Sequence, residues 1–316
     1  MHTRRYFVGS YAQEVGERIL RELDVPKGNI ELGKFSDGET RVEILEDVLE
    51  RDVVLIQSFV PPFQNDALVE LMLMADAARR ASAARVVVVS PYLGGSRQDA
   101  RKEEKNVPIT ASMLATVFEA IGIDCVITVE VHSDKISGMY RIPFFTLRPR
   151  NDFIEFFKGI PAISEAYAHG NLVIVSPDAG GVERARAYSE KLVTDLAFVN
   201  KKRSAPNKSH ADKVIGEVRG KTAILIDDMA DTFGSMSDAA RIVLAEGAVK
   251  VYAAAMHPVL SGPAIERLEK SALESLIVSD SIPLSRRALE CKKILTVSLA
   301  PLIAKKIRAK LTGVDA

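Results

Sequence analysis

Two patterns of apolar and polar residues alternate along this chain. Short apolar runs rich in β-branched residues predict strands buried on both faces of a parallel sheet, and they occupy residues 52–58, 85–90, 124–131, 171–176, 222–228 and 249–255. Between these runs, apolar residues recur at helical spacing, for example over 67–81 and 236–246. Strands that alternate with helices predict an α/β protein with largely parallel sheets.

The same series of elements occurs twice. A strand, a loop, a helix and a second strand run from residue 52 to 90, and the same series runs from 222 to 255. A further helix and strand follow each time, within 108–131 and 263–281. We interpret this repetition as the duplication of a domain-sized unit.

The expected boundary between the two domains lies near residues 143–152, where two prolines interrupt the periodicity. The prediction is therefore an N-terminal domain over 1–147 and a C-terminal domain over 148–316. The chain ends in a helical pattern over 298–311, and we expect this last helix to pack on the N-terminal domain. Residues 200–213 form the longest polar stretch and predict a mobile loop.

Composition narrows the class of protein. Hydrophobic residues make up 47% and charged residues 27% of the 316 residues, as in globular domains. Lys plus Arg and Asp plus Glu both number 42, so no overall charge favours a nucleic acid or a membrane surface. The sequence shows neither a run long enough to span a bilayer nor the apolar segment of a signal peptide. Cys125 and Cys291 lack the spacing of a disulfide framework or a metal site, so we expect free thiols and a cytoplasmic protein.

The segment LIDDMADTFGSM, residues 225–236, runs from an apolar strand into acidic and then small residues. The turn after such a strand lies at the carboxyl end of a parallel sheet, where open α/β sheets bind ligands. Thr232 and Ser235, with the glycine between them, offer hydroxyls and close N–H groups to a phosphate at the next helix. Asp227 and Asp228 lie upstream, where they suit sugar hydroxyls or a metal-bound water. The alternative interpretation is a helix N-cap, which the same residue types provide.

This segment resembles the phosphoribosyl-binding loop shared by phosphoribosyltransferases and ribose-phosphate pyrophosphokinases. Other motifs resemble the pyrophosphokinase pattern and occur in its order: KFSDGETRV at 34–42, SRQD at 96–99, VPITA at 107–111, VSPDAGGVERAR at 175–186 and HPVLSGPAIERL at 257–268. The resemblance covers nearly the whole chain. It implies two duplicated phosphoribosyltransferase-type domains, each a largely parallel sheet flanked by helices.

The resemblance also implies an activity and its site residues. The family is a transferase family that uses ATP and ribose 5-phosphate to make phosphoribosyl diphosphate and AMP for nucleotide biosynthesis. The positions that match its ATP site are Phe35, Asp37, Glu39, Arg97, Gln98 and Asp99, of which the first three are supplied to a neighbouring subunit. The positions that match its ribose 5-phosphate site are Asp227, Asp228, Asp231, Thr232, Phe233, Gly234 and Ser235.

A metal site, a catalytic pair and an assembly are implied in the same way. His132 and Asp178 match the residues that hold Mg²⁺, a hard cation that takes most of its ligands from phosphate oxygens. Lys201 and Arg203 match the catalytic pair, and in an extended segment both side chains point the same way. The implied assembly is a homo-oligomer, a hexamer built from dimers, with each ATP site crossing an interface.

The chain departs from the family's usual pattern around the ATP loop. GSRQD stands in place of YARQD, Asn106 and Ser112 stand where cationic residues are usual, and Glu103 and Glu104 add negative charge. We expect these changes to affect ATP affinity and regulation by ADP or phosphate rather than the sugar-phosphate loop. They are also the one feature that favours the alternative of a non-catalytic regulatory subunit. A phosphoribosyltransferase is a weaker alternative, because it has a single such domain and lacks the FSDGE and RQD elements.

Overall fold

The chain forms parallel sheets flanked by helices, as the alternating pattern predicts. The computed structural model describes residues 3–101, 106–200 and 213–312. It divides into two compact units. Unit 1 comprises Met1–Arg148, Ser281–Pro283 and Ser298–Ala316, and unit 2 comprises Pro149–Asp280 and Leu284–Val297.

The strands and helices alternate along most of the described chain. The strands are β1 (Arg4–Val8), β2 (Ile30–Lys34), β3 (Thr40–Ile44), β4 (Asp52–Ile56), β5 (Arg85–Ser90), β6 (Cys125–Val129), β7 (Phe144–Leu147), β8 (Leu172–Ser176), β9 (Asp195–Asn200), β10 (Lys213–Ile215), β11 (Thr222–Met229), β12 (Lys250–His257), β13 (Leu276–Ser279) and β14 (Ile294–Val297). The helices are α1 (Gln13–Leu23), α2 (Gln64–Arg80), α3 (Thr110–Ala120), α4 (Arg150–Lys158), α5 (Pro161–Ala168), α6 (Val182–Leu192), α7 (Gly234–Ala245), α8 (Ala264–Lys270), α9 (Arg286–Glu290) and α10 (Ala300–Thr312).

The sheet of unit 1 has five strands in the order β1-β4-β5-β6-β7, and every neighbouring pair is parallel. Its central strands β4 and β5 are buried on both faces, which explains their continuous apolar sequences. Strands β2 and β3 form a separate antiparallel hairpin. Residues 144–147, where the sequence indicates an interruption, form the edge strand β7 instead. The two interrupting prolines lie on either side of this strand. An edge strand tolerates proline at its ends.

The sheet of unit 2 has seven strands in the order β10-β9-β8-β11-β12-β13-β14. All neighbouring pairs are parallel except β9 and β10. Apolar residues of β8, β11 and β12 pack with α7 and α8 into one buried cluster. The carboxyl end of β11 therefore belongs to a largely buried strand at the middle of the sheet.

The duplication is visible in the strand order and register. The order β1-β4-β5-β6-β7 of unit 1 matches the order β8-β11-β12-β13-β14 of unit 2. Asp52 of β4 pairs with the first residues of β1 and β5, and Thr222 of β11 pairs in the same way with β8 and β12. The helices that follow, α2 and α7, begin at the same spacing from these residues. Gln57, Ser58 and Phe63 in unit 1 therefore occupy the positions of Asp227, Asp228 and Phe233 in unit 2.

The last helix completes unit 1. Helix α10 packs on α1 and buries Ile303, Ala304 and Ile307. Lys306 and Lys310 of the same helix lie over the ring of Phe145 in β7, at 4.7 and 4.8 Å from its centroid. Within the described ranges, no helix is both long enough and apolar enough to cross a membrane.

Candidate active site

Two aspartates lie together at the carboxyl end of β11. Asp228 is buried and Asp227 is partly exposed, with 6% and 25% of their side chains accessible. The backbone N–H of Asp228 donates a 2.9 Å hydrogen bond to Oδ1 of Asp227. The guanidinium of Arg184, on α6, faces both carboxylates, with Nη1 at 3.4 Å from Asp227 Oδ1 and 3.6 Å from Asp228 Oδ1. The strand end thus presents two acidic side chains that share one cation.

Burial and repulsion change the acidity of this pair. The pKa of Asp227 is raised above its ordinary value, first because burial removes water from the carboxylate and then because Asp228 lies beside it. Arg184 opposes this shift. Two carboxylates this close titrate as a coupled pair, and hydroxyl groups of a sugar can donate hydrogen bonds to them.

The loop between β11 and α7 ends in a strained residue. Phe233 precedes α7 with a φ of 63°, in the left-handed region that bulky residues rarely adopt. Its ring is anchored in the core of unit 2, with 3% of the residue exposed. Phe233 is one of the residues predicted to contact the sugar phosphate. Because its ring is buried, only its backbone can contact a ligand in this loop. Strain of this kind persists where the surroundings fix it, commonly at ligand sites.

Small residues surround the start of α7. Thr232 and Ser235 are exposed, and the first helical residue between them is Gly234. The first N–H groups of a helix have no partner within the helix and carry the positive end of its dipole. The arrangement therefore offers backbone N–H groups and hydroxyls to an anion.

Neighbouring segments hold this loop in place. The Ser261 hydroxyl donates a hydrogen bond to Asp231 Oδ1. Arg267 Nη1 on α8 donates to the carbonyl of Thr232 at 2.9 Å. The backbone N–H of Ala230 donates to the carbonyl of His257 at 2.9 Å. The loop is pre-formed, so a ligand that binds here does not have to order it.

A second loop of unit 2 carries Asp178, between β8 and α6. Asp178 is exposed, and its Oδ1 accepts hydrogen bonds from the N–H groups of Gly180 and Gly181 at 2.9 and 3.0 Å. The Ser176 hydroxyl donates to the carbonyl of Asp178 at 2.6 Å. The carboxylate is therefore fixed in direction at the carboxyl end of β8, next to the start of a helix.

The donor set limits the kind of metal site that is possible. In the part of the chain that the structure describes, no three His, Cys, Asp or Glu side chains cluster so as to hold a metal ion. An exposed carboxylate such as that of Asp178 is a ligand of the type that Mg²⁺ prefers. The residues fit an ion that takes most of its ligands from bound phosphates and few from protein.

The predicted ATP residues of unit 1 fall in two places. Phe35, Asp37 and Glu39 lie in the turn between β2 and β3, and all three are exposed. The turn is closed by hydrogen bonds from the N–H of Phe35 to the carbonyl of Glu39 (2.8 Å) and from the N–H of Glu39 to Asp37 Oδ1 (3.1 Å). Gly38 adopts a φ of 95°, which a glycine accepts without strain. The Phe35 ring is 53% exposed and is open to a ligand or a partner.

Arg97, Gln98 and Asp99 lie in the loop after β5. Arg97 and Gln98 are exposed, and Asp99 is partly buried. Gln98 is attached to the start of α3, because its Oε1 accepts from the Thr110 hydroxyl and its carbonyl accepts from the N–H of Ala111. Gln98 therefore has a structural role within the loop.

The remaining predicted residues are His132, Lys201 and Arg203. His132 is exposed and lies just beyond the end of β6 in unit 1. Lys201 and Arg203 lie outside the described residues, as does most of the polar segment 200–213. Glu103 and Glu104 of the altered ATP loop also lie outside them.

Comparison with known proteins places this arrangement in a family. A family model for the N-terminal domain of ribose phosphate pyrophosphokinase matches residues 5–122. A second model, for a phosphoribosyl synthetase-associated domain, matches residues 200–313. A ribose-phosphate pyrophosphokinase from Marinomonas sp. is 44% identical over 96% of this chain and 94% of its own length. The chain belongs to the ribose-phosphate pyrophosphokinase family.

Other members agree with this assignment across the whole chain. Ribose-phosphate pyrophosphokinase A of Dictyostelium discoideum is 40% identical over 96% of this chain and 93% of its own. The crystal structure of phosphoribosylpyrophosphate synthetase from Mycobacterium smegmatis superposes with a TM-score of 0.90 at 33% identity, covering 98% of this chain and 99% of that one. The predicted family and the predicted duplicated fold are thereby confirmed.

Sequence reasoning missed Arg184. The residue stands within the motif VSPDAGGVERAR, but an arginine in the first turns of a helix gives no signal by itself, since most such residues face solvent. Its proximity to Asp227 and Asp228 depends on the pairing of β8 with β11, which brings together segments distant in sequence.

We predict that Asp227→Asn makes the protein more stable above neutral pH. The folded state raises the pKa of Asp227 above its ordinary 3.8, so it binds a proton that the unfolded chain has already released. The wild type therefore loses stability as pH rises through this window. Asn keeps the acceptor oxygen without the charge, and melting should occur about 2–4 °C higher at pH 8, with a smaller gain at pH 5.

The matched control for this prediction is Asp238→Asn on α7, whose side chain is exposed. It should leave the melting temperature unchanged at both pH values. A melting temperature for Asp227→Asn at pH 8 equal to or below that of the wild type contradicts the assignment of a destabilising acid pair.

Proposed function

We propose that this chain transfers the β,γ-diphosphoryl group of ATP to the anomeric hydroxyl of ribose 5-phosphate, giving phosphoribosyl diphosphate and AMP. Membership of the pyrophosphokinase family supports this reaction. The single observation that carries it in the structure is the strand–loop–helix 222–245. It presents acids suited to ribose hydroxyls and, a few residues later, a helix start suited to a phosphate. We also propose the cytoplasm as its location, consistent with its free cysteines.

The ribose 5-phosphate site would use the two ends of this loop for different parts of one substrate. Asp227 and Asp228 accept hydrogen bonds from the ribose hydroxyls, while Asp231 shapes the loop through Ser261. Thr232 and Ser235, with the N–H groups of 233–235, bind the 5-phosphate. Holding the sugar at both ends fixes its anomeric hydroxyl, which lowers the entropic part of the barrier.

The ATP site would use unit 1 and a second copy of the chain. Arg97 and Asp99 contact ATP from the loop that Gln98 attaches to α3. The exposed ring of Phe35, with Asp37 and Glu39, contacts the adenine end of an ATP bound to a neighbouring subunit. This use of the hairpin supports the proposed hexamer of dimers, since a turn exposed in one chain completes the site of another.

The proposed cofactor is Mg²⁺, with His132 and Asp178 as its protein ligands. When bound, the ion neutralises charge on the phosphate oxygens. Asp178 suits this role because its carboxylate is exposed and its direction is fixed by two N–H groups. The protein's own contribution is to hold that carboxylate still.

The chemical step would be a displacement at the β-phosphorus of ATP. The anomeric oxygen forms a bond to that phosphorus, the bond to the oxygen bridging the α-phosphorus breaks, AMP leaves, and the hydroxyl proton is released to solvent. Negative charge spreads over the equatorial oxygens in the transition state. We propose that Lys201 and Arg203 stabilise this charge, because cations that act mainly in the transition state raise kcat.

The proposed function predicts formation of AMP from ATP, Mg²⁺ and ribose 5-phosphate. The assay follows AMP and phosphoribosyl diphosphate together, and we expect equal amounts of both. Ribose, which lacks the phosphate, is the control substrate and should give a much lower rate. ATP consumption with release of ADP contradicts the proposal, and no reaction at saturating substrates favours a non-catalytic subunit instead.

We predict that Lys201→Ala and Arg203→Ala each lower kcat by at least about 100-fold, with little change in ribose 5-phosphate binding. Steady-state kinetics gives kcat, and calorimetry gives the binding constant. Lys202→Ala is the matched control, because in an extended segment its side chain points away from the pair. A change confined to KM shows that the pair only binds substrate.

We predict that Thr232→Ala and Asp231→Ala weaken ribose 5-phosphate binding by about 10-fold or more without affecting ATP. Each loses a donor or acceptor at the phosphate loop, worth about 1–2 kcal/mol. Calorimetry with each ligand separately measures both effects, and Asp238→Ala on the exposed face of α7 serves as the control. If these variants lose ATP binding and keep ribose 5-phosphate binding, the assignment of the two substrates to their sites is wrong.

A further inference from the structure

We propose that Arg184 is the positioning residue of the ribose site, which holds the carboxylates of Asp227 and Asp228 in the direction that receives the sugar hydroxyls. This inference rests on the proposed function of that loop. Arg184 acts through the two acids, so it is a determinant of ribose 5-phosphate recognition rather than a catalytic residue.

The geometry places one guanidinium between two functional loops of unit 2. Nη1 of Arg184 lies 3.4 Å from Asp227 Oδ1 and 3.6 Å from Asp228 Oδ1, and 16% of its side chain is exposed. A Cβ added to Gly181 would lie 3.7 Å from the same nitrogen and 3.8 Å from Asp178 Oδ1. The guanidinium therefore stands beside the Asp178 loop and in front of the acid pair. That Cβ would clash with the Ser176 hydroxyl at 2.8 Å, whereas its distance from the guanidinium is an ordinary contact, so Gly181 is needed for the turn around Ser176.

Unit 1 supplies an internal comparison. Its β4–α2 loop has neutral Gln57 and Ser58 at the positions of the two aspartates. Arg184 is the third residue of α6, and the third and fourth residues of α1 are Val15 and Gly16, both buried. The copy that lacks the acids thus also lacks the arginine. Because the same fold forms without a cation there, packing does not require one in unit 2.

Charge explains why the acids and the arginine occur together. Two carboxylates this close repel one another, and a cation that faces both of them reduces the repulsion. A guanidinium is planar and permanently charged, so it can face both acids at once. Other charged groups at the ends of the adjoining elements are Asp178 and Asp231, and His257 ends the neighbouring strand β12. Arg184 opposes the rise in the pKa of Asp227 that burial and the neighbouring Asp228 cause.

The test compares Arg184→Gln and Arg184→Lys with the control Arg186→Gln. Arg186 lies on the same helix, is about half exposed, and pairs with Glu183 of its own helix. For each protein, kcat and the KM for each substrate are measured, and ribose 5-phosphate binding is measured by calorimetry. A melting curve checks folding.

Arg184→Gln should raise the KM and the dissociation constant for ribose 5-phosphate by about 10-fold or more, and change the KM for ATP less than about twofold. Arg184→Lys should recover part of the loss, because it keeps the charge but not the planar fork. Arg186→Gln should behave as the wild type.

The inference is overturned if ribose 5-phosphate binds equally well to Arg184→Gln, or if both substrates are affected alike. If Arg184→Gln does not fold, Arg184→Lys decides: unchanged ribose 5-phosphate binding by that variant overturns the inference. A wild type that binds ribose 5-phosphate but makes no AMP defeats the proposed function alone, and the binding comparison still tests Arg184. A wild type that does not bind ribose 5-phosphate defeats both.

Discussion

The closeness of two carboxylates at the end of a buried strand constrains the rest of unit 2. Asp227 and Asp228 lie near the carboxyl end of β11, a strand that pairs with β8 on one side and β12 on the other. Their repulsion is costly in a partly dehydrated place, and Arg184 on the adjoining helix offsets it. The guanidinium lies close to the loop that carries Asp178, next to Gly181. A ligand with neighbouring hydroxyl groups can donate hydrogen bonds to both carboxylates and so reduce the repulsion between them.

The duplication shows which features belong to the fold and which to the site. In both copies the helix begins at the same spacing from the start of the second paired strand, yet only the segment of unit 2 holds a non-glycine residue in the left-handed region before that helix. Phe233 has a φ of 63°, whereas its counterpart Phe63 has a φ of −92° and an exposed ring. In unit 1, Gln57 donates instead to Glu70, a buried acid on α2, at 2.7 Å. Strain, paired acids and a partner cation therefore occur together in one copy and are absent from the other.

Much of the fold and part of the candidate site could be predicted from the sequence, for physical reasons that differ between elements. The central strands β4, β5 and β11 were predicted because burial on both faces requires unbroken apolar runs. The hairpin β2–β3 was missed because its strands are largely exposed and lack such a run, and β7 was missed because prolines flank it. The acid pair could be recognised from local spacing. Its partner Arg184 could not, because a contact between α6 and the end of β11 exists only once the sheet is assembled.

The central claim is that one strand–loop–helix of unit 2 recognises both ends of ribose 5-phosphate. A crystal structure of the protein with ribose 5-phosphate alone tests it most directly. The account predicts sugar hydroxyls within hydrogen-bond distance of Asp227 and Asp228, with the phosphate on the N–H groups and hydroxyls of residues 232–235. Ribose 5-phosphate bound with its phosphate away from the start of α7, or bound at the matching loop of unit 1, would contradict it.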